Sequence, residues 1–361
     1  MGHEVSRSAI TILKILALPT VGSQRAFSVV AHLASKGISL DSVSDAEIFA
    51  ASMALWPKRI EEADFAAWQQ VILAESVQLE ASLKAGVRVV TFFDDAYPSL
   101  LKALANPPIL LHYRGDLRPL QNQPALAMIG TRSPLSYSLK SAERIGATLV
   151  EQRIHLVSGL AEGCDLAAHL AAINAGMPTT AILGHGLQTL YPEAHRAIAE
   201  QILDNGGLLL SEYLWGTAPH RGLFVRRDRL QAGLSDATFV VETAEDGGSI
   251  HAMKEAVSLA RPLFALSFTN NALENAGNRT AALKQIAGNQ QFIENGAAKA
   301  IAGKNDVAAM IEMLHQCFKA RDESEQMPEN NEDLLAELPA KEANSTVSNK
   351  IIAPIQQGFD W

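Results

Sequence analysis

The feature that most constrains this chain is a regular alternation of short apolar runs with helical stretches through its central part. The runs are Ala125–Ile129, Ile154–Val157, Thr179–Leu183, Leu208–Leu210, Ala237–Val241 and Pro262–Phe268. Amphipathic stretches follow at about 138–152, 165–175, 193–204, 224–234, 249–260 and 275–287. Strands buried on both faces read as unbroken apolar runs, and the helices between them supply the covering layers. The pattern predicts an α/β fold, a Rossmann-like doubly wound parallel sheet. A last helix over about 306–318 sets Val307, Met310, Ile311, Leu314 and Phe318 on one stripe, with Asn305 as its N-cap.

Two other regions flank this core. Residues 1–85 read as an all-helical domain of SAM or helix-hairpin-helix type. Within it, Leu18-Pro19-Thr20-Val21-Gly22 joins two helical runs and resembles a hairpin turn that offers N–H groups to phosphates. A plain packing hairpin is the alternative. The Rossmann domain is set at 86–320, because Val87–Phe93 already reads as a strand and Pro107-Pro108 forces an extended lead into Ile109–Tyr113. Residues 321–361 hold nine acidic and three basic side chains, so this segment carries −6 of the total −9. The remaining −3 is spread over residues 1–320, which leaves room for a local basic patch. The segment is too polar for a core and is expected to be a disordered acidic tail. Its end carries Phe359 and Trp361, large apolar anchors suited to docking on a partner or on the arginine-bearing rim.

Cys164 and Cys317 are far apart and form no CxxC pair, which suits a reducing cytoplasm. The apolar stretch Ala9–Leu18 is interrupted by Lys14, and no run reaches the length of a membrane span. A soluble cytoplasmic protein with no membrane contact is expected.

In an open parallel sheet, ligands gather at the carboxyl ends of the strands and at helix N-termini. The segments after the predicted strands are Gly130-Thr131-Arg132, then Ser158-Gly159 to Gly163, then Gly184-His185-Gly186. Further on come the basic run His220, Arg221, Arg226, Arg227 and Arg229, and Gly247-Gly248-Ser249. Glycines allow close approach to the backbone, and fixed guanidinium forks suit phosphate oxygens. The candidate site is therefore Gly130, Thr131, Arg132, Ser158, Gly159, Gly163, Gly184, Gly186, Arg226, Arg227, Arg229, Gly248 and Ser249. For the arginines the alternative is a salt-bridged face with Glu212 and Asp228. No G-x-G-x-x-G follows the first core strand, and Walker A and nucleophile-elbow patterns are missing. Cys164, Asp165 and His169 match no zinc spacing. Neither a cofactor nor a metal is expected.

Taken in order, these segments resemble the DprA/Smf family. Phe224-Val225-Arg226-Arg227-Asp228-Arg229-Leu230-Gln231-Ala232-Gly233-Leu234-Ser235 is similar to its F-P-x-R-N-R-I-I-x-G-L-S stretch. Ser158 to Asp165 with His169 resembles S-G-L-A-x-G-I-D…A-H, and Gly130-Thr131-Arg132 resembles G-[ST]-R. Gly184-x-Gly186 with Tyr191-Pro192, Glu242…Gly248-Ser249, Tyr97-Pro98 and Pro107-Pro108 complete the likeness over roughly residues 85–270. The resemblance implies single-stranded DNA binding on the Rossmann core, a homodimer, and loading of RecA during natural transformation. It places Arg132 and Arg227 against the DNA backbone, with Arg229 beside them. The chain departs from the pattern at Asp228, where the family has asparagine, at Glu162, Gly247 and Ile250-His251, and in lacking a counterpart of the C-terminal winged helix. Another nucleic-acid role, such as defence against foreign DNA, is open on the same core. So are a nucleotide sensor and a LOG-like phosphoribohydrolase using Glu242 or Glu212.

Overall fold

The computed structural model describes residues 5–60, 65–274 and 277–325. The chain begins with helices α1 (Arg7–Leu16), α2 (Ser23–Ser35), α3 (Asp45–Leu55), α4 (Pro57–Ile60) and α5 (Phe65–Lys84). The Ser6 hydroxyl caps α1 by accepting from Ala9 N, and Ser44 with Glu47 forms a reciprocal capping box on α3. Leu18 and Val21 of the first hairpin turn are buried in the core.

Next come β1 (Arg88–Thr91), α6 (Ser99–Lys102), β2 (Leu110–Gly115) and α7 (Arg118–Asn122). The alternating part holds β3 (Ala125–Ile129), α8 (Ser136–Glu151), β4 (His155–Ser158), α9 (Cys164–Asn174) and β5 (Thr179–Ile182). It continues through α10 (Arg196–Asp204), β6 (Leu208–Ser211), α11 (Arg221–Gly233), β7 (Ala237–Val240), α12 (Ile250–Ser258) and β8 (Leu263–Leu266). Short helices α13 (Asn270–Glu274), α14 (Arg279–Gln285) and α15 (Ala287–Glu294), then β9 (Lys299–Ile301) and α16 (Lys304–Glu325), complete the described chain.

All nine strands form one sheet in the order β1-β2-β6-β5-β4-β3-β7-β8-β9. The neighbours from β6 to β9 pair in parallel, whereas β1–β2 and β2–β6 are antiparallel. The chain thus winds outward from β3 to β6, then returns to the other side of β3 for β7, β8 and β9. The central β3 is buried along its whole length. Leu126 and Met128 pack with α8, α9 and α16 on one face, while Ala127 and Ile129 pack with α12 and α15 on the other.

Four outcomes differ from the sequence expectation. Strands β1 and β2 extend the Rossmann sheet itself, antiparallel, and β9 adds a further parallel edge. The N-terminal helices share one core with the sheet, since Ile12, Phe27 and Trp68 belong to the same cluster as Val157, Ile182 and Leu210. Helix α16 starts before Asn305; Asp306 instead accepts from Ala302 N and Gly303 N, both at 2.9 Å. Finally, α16 runs on to Glu325, and Arg321 pairs with Asp236 at 3.1 Å with both side chains nearly sealed from solvent. Asp236 also accepts from Ala125 N, so the pair fixes α16 to the start of β3. Residues 321–325 therefore belong to the folded body and not to the acidic tail. Phe359 and Trp361 lie outside the described residues.

Candidate functional site

The doubly wound order puts the topological switch between β3 and β7, where a ligand crevice is expected. Here that crevice is filled by protein. Thr131 N donates to the Glu242 carbonyl at 2.8 Å, and the fully buried Glu242 carboxylate accepts from Leu135 N at 3.0 Å and from Ser138 Oγ. Burial raises the Glu242 pKa above the usual carboxylate range. Glu212, the other carboxylate considered for phosphoribohydrolase chemistry, is paired with Arg229. In Glu242 the hydrogen bonds fall on Oε2, and Oε1 is buried without a partner among the described residues.

The open space lies beside the switch, over the carboxyl ends of β4 and β5. It is a pocket of about 140 Å³ lined by Arg132, Gly159, Glu162, Tyr191, Phe224 and Arg227, among others. Its floor is built by Arg227, which is 4% exposed. Arg227 Nη1 donates to the Gly159 carbonyl at 2.8 Å and to the Ile182 carbonyl, just past β4 and at the end of β5, while Nε donates to Asp228 Oδ1 at 3.1 Å. One guanidinium thus ties two parallel strand ends together. A buried charge is tolerated because carbonyls and a carboxylate replace its water.

This arrangement dictates the neighbouring sequence. A Cβ on Gly159 would stand 2.3 Å from Arg227 Nη1, and a Cβ on Gly184 would stand 2.6 Å from Phe224 Cδ1. Both glycines make room for α11. Gly163 has φ +75 and opens α9 against the carbonyls of Thr131 and Arg132. Gly130 and Gly186 likewise face protein, namely Cys164 and Leu214. Ser158 is buried and donates to the Met128 carbonyl at 2.7 Å. The N–H groups of Gly159 and Ala161 are taken by Asp165 Oδ2, at 3.1 and 3.4 Å. Burial raises the Asp165 pKa, which the nearby Arg227 charge and these hydrogen bonds partly offset.

The α11 arginines therefore divide. Arg226 is exposed. Arg227 is tied through Nη1 to two strand-end carbonyls and through Nε to Asp228, and it lines the pocket as well. Arg229 also departs from the expected rim: it points to Glu212, in a region where burial raises the phenol pKa values of Tyr97 and Tyr213. Arg132 keeps its place. It is exposed, and its guanidinium lies over the Phe224 ring at 5.8 Å. Phe224 in turn stacks on Tyr191, with centroids 5.3 Å apart and planes tilted by 33°. Tyr191 is 45% exposed. Gly248 and Ser249 stand at the start of α12, Gly248 exposed, with Asp228 Oδ2 4.0 Å from where a Gly248 Cβ would be. The sequence alone does not single out Tyr191 and Phe224 as site residues, although both sit in the family-like motifs. Their signal there is an aromatic next to a strand-end turn, which a buried packing role would produce equally well.

A parallel, doubly wound sheet with an arginine and stacked aromatics at its carboxyl rim defines a Rossmann-type protein. The family model described as DNA recombination-mediator protein A matches residues 88–312, and the chain belongs to this family. Protein Smf of Synechocystis is 38% identical over 191 residues, 52% of this chain and 48% of that protein. DNA processing protein DprA of Streptococcus pneumoniae is 37% identical over 176 residues, 49% of this chain and 61% of that protein. The chain thus spans about half to three-fifths of the length of these relatives. The X-ray structure of Streptococcus pneumoniae DprA superposes with a TM-score of 0.65 at 27% identity, covering 85% of this chain and 98% of that one. The Helicobacter pylori DNA processing protein A structure, described for its single-stranded DNA binding mode, gives a TM-score of 0.53 at 28% identity, covering 63% of this chain and 96% of that one. Among the described residues, no helix is long and apolar enough to cross a membrane.

Proposed function

We propose that this chain binds single-stranded DNA across the rim formed by Arg132, Phe224, Tyr191 and Arg226, and acts in DNA processing for recombination or transformation. The observation that carries this reading is the Arg132–Phe224–Tyr191 stack, open to solvent beside the pocket. A single strand offers phosphates for the guanidinium and unpaired bases for the tyrosine face, and base–aromatic stacking contributes without sequence preference. Family membership and the binding mode described for the Helicobacter pylori protein support the same ligand. A homodimer as the working form and RecA as the recipient of the strand belong to this reading, and defence against foreign DNA is a setting that would use the same binding step.

The test is a titration of a fluorescent oligothymidine at several salt concentrations. Arg132→Ala should weaken binding and make the slope of log K against log salt shallower by roughly 0.7 for each phosphate it ceases to neutralise. Tyr191→Ala should weaken binding by about 1–3 kcal/mol with the salt slope unchanged. Unaltered affinity in both variants, with the fold intact, defeats the proposal.

A further inference from the structure

A second cavity, of about 350 Å³, lies at the junction of the helical N-terminus and the sheet, away from the strand-end rim. Its origin is the way α5 is held. Trp68 near the start of α5 is buried and donates Nε1 to the Lys14 carbonyl at 3.1 Å, and Ser82 near its end is buried with its carbonyl bonded to Val87 N. Between these two points α5 stands off the body, and Ile72, Glu75 and Leu79 are only half-buried. The gap is closed opposite by Leu13 of α1, by His112 of β2 and by Trp215 in the loop after β6.

The lining is apolar with a few polar groups, and the volume lies within the range of small-molecule sites. Glu75 is the group that selects the ligand. Among the described residues no cation pairs with it: Lys14, on the same wall, is already bonded to Asp45 at 2.6 Å. Burial alone pushes the Glu75 carboxyl up to about 7, which marks a carboxylate lacking the counter-charge that would favour its ionised form. His112 is 3% exposed with Nδ1 unpartnered, and burial holds its pKa at about 4, so the ring is neutral and does not repel a cation. Trp215 adds an aromatic face.

We propose that this cavity binds a small amine with an apolar or aromatic body, its ammonium paired with Glu75 and its body between Leu79, Ile72 and Trp215. The site is separate from the DNA rim, and the Thr217 carbonyl in its wall accepts from Gly186 N at 3.0 Å and from Gln188 Nε2 at 3.1 Å.

The test uses the full-length chain with phenethylamine as probe and phenylacetate as its charge-reversed control, followed by saturation-transfer NMR and calorimetry. Phenethylamine should bind at one saturable site with Kd on the order of 1 mM or tighter, and phenylacetate should not. Glu75→Gln should weaken the amine roughly tenfold or more, and Leu79→Trp, which fills the cavity, should remove binding. Absence of saturable amine binding overturns the assignment, as does equal binding of phenylacetate or indifference to both substitutions. Displacement of the amine by a synthetic peptide of residues 351–361 would put the chain's own end in the cavity and overturn the small-molecule reading.

Discussion

The guanidinium of Arg227 occupies the space that any side chain at position 159 would need, Nη1 lying 2.3 Å from where a Gly159 Cβ would stand. The two residues are 68 positions apart and joined by a hydrogen bond from that nitrogen to the Gly159 carbonyl. A glycine and an arginine that both line the strand-end pocket are also each other's packing partners.

Stability therefore depends on this pair. Arg227→Ala should cost about 3–5 kcal/mol, because it removes the cation paired with the largely buried Asp228 and the donor to the Gly159 and Ile182 carbonyls. Gly159→Ala should cost at least about 1–3 kcal/mol through overpacking against the guanidinium. In a double-mutant cycle followed by urea unfolding, the two losses should fall well short of adding, since the alanine methyl has nothing to strike once Arg227 is gone. Additive losses, or a loss under about 1 kcal/mol for Arg227→Ala, would contradict the assigned role.

Asp228 tunes the rim without reaching into it. Its Oδ1 accepts from Arg227 Nε and from Gln231 Nε2 at 3.0 Å, two bonds that an asparagine oxygen can also accept. Asp228→Asn should thus keep the fold while removing one negative charge behind Arg226 and Arg227. Single-strand affinity is expected to rise by roughly tenfold at low salt and by less as screening increases. Weaker binding in this variant would show that the carboxylate contacts the ligand directly.

The end of the folded body can be located by truncation. A chain stopped after Glu325 should unfold at the same urea concentration as the full chain. One stopped after Ala320 loses the buried Arg321–Asp236 pair and should be less stable by about 3–5 kcal/mol. Equal midpoints for the two truncations would mean that Arg321 does not hold α16 to the sheet.

Two buried histidines should make the protein less stable in mild acid. Burial holds His155 at about 4 and His169 at about 3, with the Arg227 charge also lowering His169. In the unfolded chain both take a proton near pH 6.5, so their contribution to stability is flat above that pH and falls below it, down towards the folded values. Each should contribute a slope approaching ~1.4 kcal/mol per pH unit within that window. Glu75, at about 7, and Asp165, Asp228 and Glu242 work in the opposite sense: their folded pKa values are raised by burial, so protonation there recovers stability as pH falls through those values. Urea unfolding at about pH 7 and about pH 5 measures the balance, and His169→Gln should flatten the slope. An unchanged slope in His169→Gln would rule out its contribution.

What the sequence determined by itself was the architecture and the kinship. Six apolar runs separated by amphipathic helices left little but a parallel sheet covered on both faces, because strand and helix periods are local properties of side-chain order. The ordered strand-end motifs pointed to the family for a similar reason: each is short, contiguous and tied to one turn. What only the tertiary structure decided was the use of each motif residue. Arg226, Arg227 and Arg229 are neighbours in sequence, but α11 turns each residue by about 100° from the last. That rotation sends the first to solvent, the second to the carbonyls of Gly159 and Ile182, and the third to Glu212. In the same way Glu242 closes the expected crevice through Ser138 and Leu135, more than a hundred residues away. Charge and residue type are written locally, but whether a guanidinium faces water or a strand end depends on which surfaces the chain brings together when it folds.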